Sequence, residues 1–164
     1  EKGIFKLIEA VEKIESDKKV CLFLAGDGEE MEAVKVRESE RIKPLGRLDF
    51  KDIVSLLGQA EIYCLPTEYP EGFPTSVLEA AAAGCYVITT NRGGSGELIL
   101  DKSYGTILEN VTVQNLKQEL ERALEQKEEC RLAAQKAQKR VHELFTWDKT
   151  AQKVHNLAEQ GVAK

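Results

Sequence analysis

The stretch from Ile62 to Thr90 restricts the fold more than any other part of this sequence. An apolar run, Ile62-Tyr63-Cys64-Leu65, stops at Pro66, and a second one, Cys85-Tyr86-Val87-Ile88-Thr89-Thr90, starts just after Gly84. Between them lie Glu71-Gly72-Phe73-Pro74-Thr75-Ser76-Val77-Leu78-Glu79 and the small residues Ala80 to Ala83. Short apolar strands joined through a helix run parallel, with a right-handed crossover. The alanine run keeps that helix slim against the sheet, and Gly84 ends it. A strand, a loop with a carboxylate, a helix start with free amides and a second carboxylate inside the helix form an anion site that also offers acceptors to hydroxyl groups. That combination suits a nucleotide-sugar.

The same alternation continues on either side. Ile4, Leu7, Ile8 and Val11 share one stripe of an amphipathic helix. A strand is predicted over Val20 to Ala25, a loop and helix over Asp27 to Arg37, a strand over Ile42 to Leu45 and a helix over Asp49 to Gly58. Strand Glu61 to Leu65, helix Thr75 to Ala83, strand Cys85 to Thr89, helix Ser95 to Leu100 and strand Gly105 to Leu108 follow. From Thr112 to Gly161 the pattern is helical, with a break at Thr146-Trp147. Such an order implies an α/β fold: a doubly wound, Rossmann-like parallel sheet with helices on both faces and a helical C-terminal end. At 164 residues it reads as a single domain. The alternation reads as one half of a doubly wound fold, and the chain begins as though cut, running straight into its first helix with no initiator Met and no strand ahead of it.

Charge narrows the function. With 23 basic against 28 acidic residues, the net charge of −5 disfavours a bulk electrostatic grip on nucleic acid or anionic lipid. Phosphate binding must be local. No apolar stretch is long enough to span a membrane. Cys21, Cys64, Cys85 and Cys130 lack metal-ligand spacing, so no metal site is expected, and buried reduced thiols point to the cytoplasm. His142 and His155 lie on polar helices and read as solvated. Trp147 reads as a packing anchor at the helix break.

Loops that follow strands in an open α/β sheet surround its ligand. Gly26 and Gly28, after the first strand, allow a tight turn and close backbone approach. They do not complete a dinucleotide fingerprint, because the third glycine is missing. Structurally they make a turn leading to an acidic helix start; functionally they would wall a pocket. Arg47, after the second strand, can lay its guanidinium on a base or contact phosphate, or simply face solvent. Asp49 reads as a helix cap. Gly93 and Gly94 belong to a mobile loop able to present amides to an anion, and Glu97 stands in the first turn beyond it. For the central helix two starts compete. With Ser76 as cap, Glu79 would close a capping box and be structural. With Pro74 as the first helical residue, the start preferred here, the amides of Thr75, Ser76 and Val77 point at an anion. Glu79 then shares a face with Thr75 and accepts from ribose-like hydroxyls, while Glu71 accepts from sugar hydroxyls.

Taken in order, these residues resemble the family-4 retaining glycosyltransferases of the GT-B fold. Glu71 and Glu79, separated by seven residues, resemble the family's E-x7-E signature. Gly93-Gly94-Ser95-Gly96-Glu97 resembles its G-G-x-x-E loop. Phe23-Leu24-Ala25-Gly26-Asp27-Gly28, Gly46-Arg47-Leu48 and Phe145-Thr146-Trp147 are similar to its glycine turn, its base-contacting loop and its late aromatic. The resemblance covers essentially the whole chain and implies the C-terminal, donor-binding half of the enzyme. It implies that Glu71 contacts the donor sugar near the reacting face and that Gly72, Phe73 and Pro74 line the sugar pocket. It places the diphosphate on the amides of Thr75, Ser76 and Val77, the ribose on Glu79 and the base against Arg47. Lys2 matches a lysine that neutralises the leaving diphosphate.

The donor would be a nucleoside-diphosphate sugar, with no cofactor and no obligatory metal. The acceptor would be bound by an N-terminal domain absent here, as would any membrane contact. Surface-polysaccharide synthesis is the family's habitual setting. The chain departs from the pattern in lacking the arginine upstream of Lys2 and in having Pro74 where many members have glycine. A dinucleotide oxidoreductase fragment and a non-catalytic interaction module are the rival classes.

Overall fold

The computed structural model describes residues 2–70 and 72–162, with side chains through residue 159. The sequence-predicted residue Glu71 therefore lies outside the described residues. Helix α1 (Ile4–Glu12) leads to β1 (Leu22–Ala25), α2 (Met31–Lys35), β2 (Ile42–Gly46), α3 (Phe50–Leu57) and β3 (Ile62–Leu65). Then come α4 (Thr75–Ala83), β4 (Tyr86–Thr90), α5 (Ser95–Leu98), β5 (Thr106–Leu108), α6 (Val113–Glu125), α7 (Lys127–Leu144) and α8 (Trp147–Val162).

All the strand pairings are parallel: β1 with β2, β3 with β4, and β4 with β5. The expected single sheet is instead two ladders, because β1 and β3 share no backbone pairing. A cavity of about 640 Å³ separates their facing edges. β4 is buried at every position, as a central parallel strand covered on both faces must be. Side chains alternate across the layer. Leu24, Ile62, Tyr86 and Ile88 pack with α1 and α6, whereas Tyr63, Leu65 and Val87 pack with α4 and α7. Each fully buried Ile, Leu or Val contributes about 1.5–3 kcal/mol.

Local chemistry sets the helix ends. Asp49 Oδ1 accepts from the Asp52 amide at 2.8 Å, capping α3 as expected. Thr112 caps α6 through the Asn115 amide at 3.1 Å. Gly84, at φ 91, closes α4 in a conformation that favours glycine. Gln138 of α7 donates to the Ala82 carbonyl at 2.8 Å and so pins that same end. The C-terminal helical stretch breaks at Gln126 as well as near Thr146. α2 is shorter than predicted. Trp147 is 88% exposed, so it does not anchor packing; it opens α8 with its ring in solvent.

A buried polar network that the sequence did not announce ties α6 to the sheet. Arg122 donates to Tyr86 Oη at 2.7 Å, to Thr106 Oγ1 at 3.2 Å and to Glu119 Oε2 at 3.0 Å. Tyr86 Oη and Thr106 Oγ1 also bond one another at 2.8 Å. The cysteines are free, with Cys85 and Cys130 buried. Burial pushes the Cys64 thiol up to about 12 and the Cys85 thiol up to about 11, so both are protonated and unreactive near neutrality.

Candidate functional site

The α4 start is the centre of the site. Pro74 is not the first helical residue but the cap, extended at φ −63 and ψ 111, and Thr75 opens the helix. Proline's missing N–H costs nothing in either place, but its extended ψ puts it just outside the helix. A capping box at Ser76 is ruled out, which leaves Glu79 a full turn inside the helix. Thr75 and Glu79 are both exposed, on the shared face that i, i+4 spacing requires. Val77 is fully buried, and its amide donates to the Pro74 carbonyl at 3.1 Å. Among the described residues, the Thr75 and Ser76 amides have no backbone acceptor outside the helix. These two N–H groups carry the positive end of α4 outward.

Tyr63 supports this end from below. Burial, with a lesser contribution from the Glu79 carboxylate, pushes its phenol up to about 12, and the neighbouring Ser76 side chain opposes that shift. Strand alternation could have located it, since Tyr63 and Leu65 must share the α4 face of β3.

The loops after β3 and β4 join. Gly94 donates its amide to the Gly72 carbonyl at 2.7 Å, and a Cβ at Gly94 would lie 2.4 Å from the Phe73 ring. Phe73 in turn meets Phe145 edge-on, with centroids 5.3 Å apart. Gly72, Phe73, Pro74 and Gly94 therefore form one wall. The Gly94 amide is consumed in building that wall. Gly93 is exposed on the same loop. Glu97 uses its carbonyl to accept from Arg140 at 3.0 and 3.1 Å, while its side chain is exposed.

Cations gather beside this wall. Gly3, at φ 71, packs so tightly on Pro66 that a Cβ would sit 2.3 Å from the Pro66 carbonyl oxygen. This contact brings the α1 N-terminus to the carboxyl end of β3. Lys2 lies over the Tyr69 ring, 6.0 Å from its centroid. Lys6 pairs with Glu68, whose carboxyl is held below the ordinary range by that hydrogen bond, with Arg92 adding attraction. Sequence patterns gave no hint of Glu68 or Tyr69, because only the packing of α1 on the β3 loop brings them to the site.

A second group forms on the β1–β2 ladder. The Gly26 amide donates to the Gly46 carbonyl at 2.8 Å, and Arg47 pairs with Asp27 at 3.6 Å in full solvent. Gly26, at φ 146, needs a glycine, whereas Gly28 has open space around it. The two groups sit on separate ladders at the carboxyl ends of β1, β2, β3 and β4. The cavity between the ladders reaches Lys2, Ser76 and Glu79 at this end. Among the described residues there is no cluster of three or more His, Cys, Asp or Glu able to hold a metal. No described helix is long and apolar enough to cross a membrane.

The profile of the family described as Glycosyl transferases group 1 matches residues 1–140, and the chain belongs to that family. Its fold is that of the C-terminal half of a GT-B glycosyltransferase. It is 29% identical over 157 residues to a glycogen synthase of Mycobacterium tuberculosis, covering 92% of this chain and 38% of the relative. Among solved structures it is similar to Anabaena HepE in complex with UDP-glucose. There the TM-score is 0.84 at 22% identity, over 97% of this chain and 45% of that one. The C-terminal domain of a group 1 family protein (LpcC) from Francisella tularensis superposes with a TM-score of 0.78 at 23% identity, over 89% of this chain and 80% of that domain. The chain spans less than half the length of the first curated relatives, 38% to 45%.

Proposed function

We propose that this chain is the donor-binding domain of a retaining glycosyltransferase that takes a nucleoside-diphosphate sugar. The observation that carries the reading is the outward-facing start of α4. Two amides there lack a backbone acceptor outside the helix among the described residues, and the exposed carboxylate of Glu79 lies one turn further in. A helix N-terminus of this kind stabilises a diphosphate. Glu79 accepts from the ribose hydroxyls, and Arg47 with Gly26 and Gly28 frames the base. Gly72, Phe73, Pro74, Gly93 and Gly94 shape the sugar pocket, and Glu71 accepts from the sugar hydroxyls.

In the reaction, the bond from the sugar's anomeric carbon to the diphosphate oxygen breaks, and its electron pair leaves with the diphosphate. The acceptor hydroxyl oxygen bonds to that carbon from the same face and passes its proton to the departing phosphate oxygen. Positive charge preorganised at the phosphate lowers the barrier. The α4 dipole and Lys2 supply it, without a metal or cofactor. The acceptor is held by a second domain of the parent enzyme, which works in the cytoplasm on cell-surface glycans and transfers a hexose.

Calorimetric titration with UDP, GDP and ADP, repeated on Glu79→Ala, tests the reading. Saturable binding of one nucleotide, weakened about tenfold (~1.4 kcal/mol) in the variant, is expected. Equal affinity of parent and variant for every nucleotide would remove Glu79 from the ribose site.

A further inference from the structure

The start of α1 is charged against its own dipole. A helix N-terminus is positive and favours acidic side chains. Among the described residues, the first turn of α1 holds no acidic side chain and carries Lys6 instead, with Lys2 just ahead of it. Gly3 packs this positive end on Pro66, at the carboxyl end of β3. The charge is answered from outside the helix: Lys6 pairs with Glu68, 62 residues further along the chain.

A built turn aims Glu68 at α1. Thr67 is 1% exposed; its carbonyl accepts from Thr90 Oγ1 at 2.6 Å, and its own Oγ1 accepts from the Tyr69 amide at 3.2 Å. Glu68, between them, reaches Lys6, while the Tyr69 ring lies under Lys2. The Glu68 carboxyl is held below the ordinary range by its hydrogen bond to Lys6, with Arg92 of the loop after β4 adding attraction, so it stays charged near neutrality. The side chains of the pair are 42% and 44% exposed. An ion pair this open to solvent contributes little and rearranges readily. A nucleoside diphosphate concentrates more negative charge than one carboxylate, and a lysine on its flexible stem can swing to it.

We infer that Lys6 is a second phosphate-binding cation beside Lys2, and that Glu68 is its counterion in the empty site, displaced when the diphosphate arrives. The inference rests on the donor-site reading and deepens it. By competing for Lys6 and repelling the ligand, Glu68 lowers the affinity for the leaving nucleoside diphosphate and speeds its release. A pair that merely stapled α1 to the β3 loop would behave differently, because losing either partner would then act in the same direction. Here the two losses act in opposite directions.

Calorimetric titrations with UDP, GDP, ADP and inorganic pyrophosphate, at low and high ionic strength, compare the chain with Lys6→Gln, Glu68→Gln and Glu128→Gln. Glu128 pairs with Arg131 beside Lys127, which holds Glu61 at the amino end of β3, so its loss changes net charge away from the site. At low ionic strength Lys6→Gln is expected to weaken binding and Glu68→Gln to tighten it, each by ~3-fold or more, with both effects shrinking in salt. Glu128→Gln should leave the affinity unchanged. If the parent binds but either shift is missing or reversed, or Glu128→Gln tightens binding as much as Glu68→Gln, this inference falls and the donor-site reading stands. If the parent binds none of the four probes, both fall.

Discussion

Replacing Gly94 with alanine inserts one methyl group at the seam between the β3 and β4 loops. Gly94 sits in the right-handed region at φ −70, so alanine brings no backbone strain there. By chain entropy alone the change would stabilise the fold by roughly 0.4–1 kcal/mol. Sterics oppose this and win. The new carbon would lie 2.4 Å from Phe73 Cδ2, 2.9 Å from Cγ and 3.2 Å from Cβ, so the clash reaches the root of the side chain and not a flexible tip. Phe73 cannot swing freely, because Phe145 meets its ring at an interplanar angle of 61°. Overpacking of this kind costs about 1–3 kcal/mol. Net destabilisation should be up to about 2.5 kcal/mol and centred on about 1.3 kcal/mol, a melting point lower by roughly 3–5 °C at the centre and up to ~10 °C at the limit for a chain of this size. Thermal melts of Gly94→Ala, Phe73→Ala and the double variant measure it. Phe73→Ala should absorb much of the cost, leaving a coupling energy on the order of 1 kcal/mol. Gly28→Ala, with no atom near its new methyl, is the clash-free control, expected to be unchanged or stabilised by up to about 1 kcal/mol. If Gly94→Ala melts with the parent and Phe73→Ala shows no coupling, the packing argument for this wall is wrong.

Removing the guanidinium of Arg122 by Arg122→Met should destabilise the chain by about 1.5 kcal/mol, the low end for a charged hydrogen bond, because Tyr86 and Thr106 still pair with each other. Urea denaturation measures this, and loss of an exposed-residue size, well under ~0.5 kcal/mol, would mean the network carries no stability. Alkaline pH should weaken the fold. Tyr63 near 12 and the Cys64 and Cys85 thiols near 12 and 11 hold their protons more tightly than ordinary values of 10, 9 and 9. The stability they contribute is complete below pH 9 and is lost as pH climbs toward 12. Tyr63→Phe should flatten that decline above pH 10, because the raised phenol is removed; an unchanged slope would contradict the assignment. Asp49→Ala should cost about 1 kcal/mol by uncapping α3, read from the same urea curves, with Asp49→Ser largely restoring it.

The fold class was legible because strand and helix periods are local. Runs such as Tyr86 to Thr90, bounded by Gly84 and by the glycines after Asn91, admit few other readings, and the cap at Asp49 is a one-residue signal. Boundaries slipped where signals overlap. Pro74 satisfies both the cap and the first helical position, and only its ψ decides. Trp147 misled because a large aromatic at a helix break packs in many folds; here nothing described covers it. The site was legible in its glycines and carboxylates, which lie on consecutive loops. Tyr63, Glu68 and Tyr69 stayed hidden because their relevance arises from α1 and α4 packing across the sheet, between residues far apart in the chain. The break between the ladders was equally invisible, since no residue pattern marks a pairing that is absent.

The grip of Gln138 on the far end of α4 has a mechanical consequence. α4 is a rod of 9 residues, held by its tail and presenting its head to the ligand. A rod about 13 Å long turns a small tilt at one end into a displacement of comparable angle at the other. The aim of the Thr75 and Ser76 amides is therefore set from α7, by a glutamine that touches nothing in the site. Surface changes along α7 become a route for tuning affinity while every ligand-facing residue stays the same, and drift there would retarget the head of the rod without leaving a mark on the loops around it.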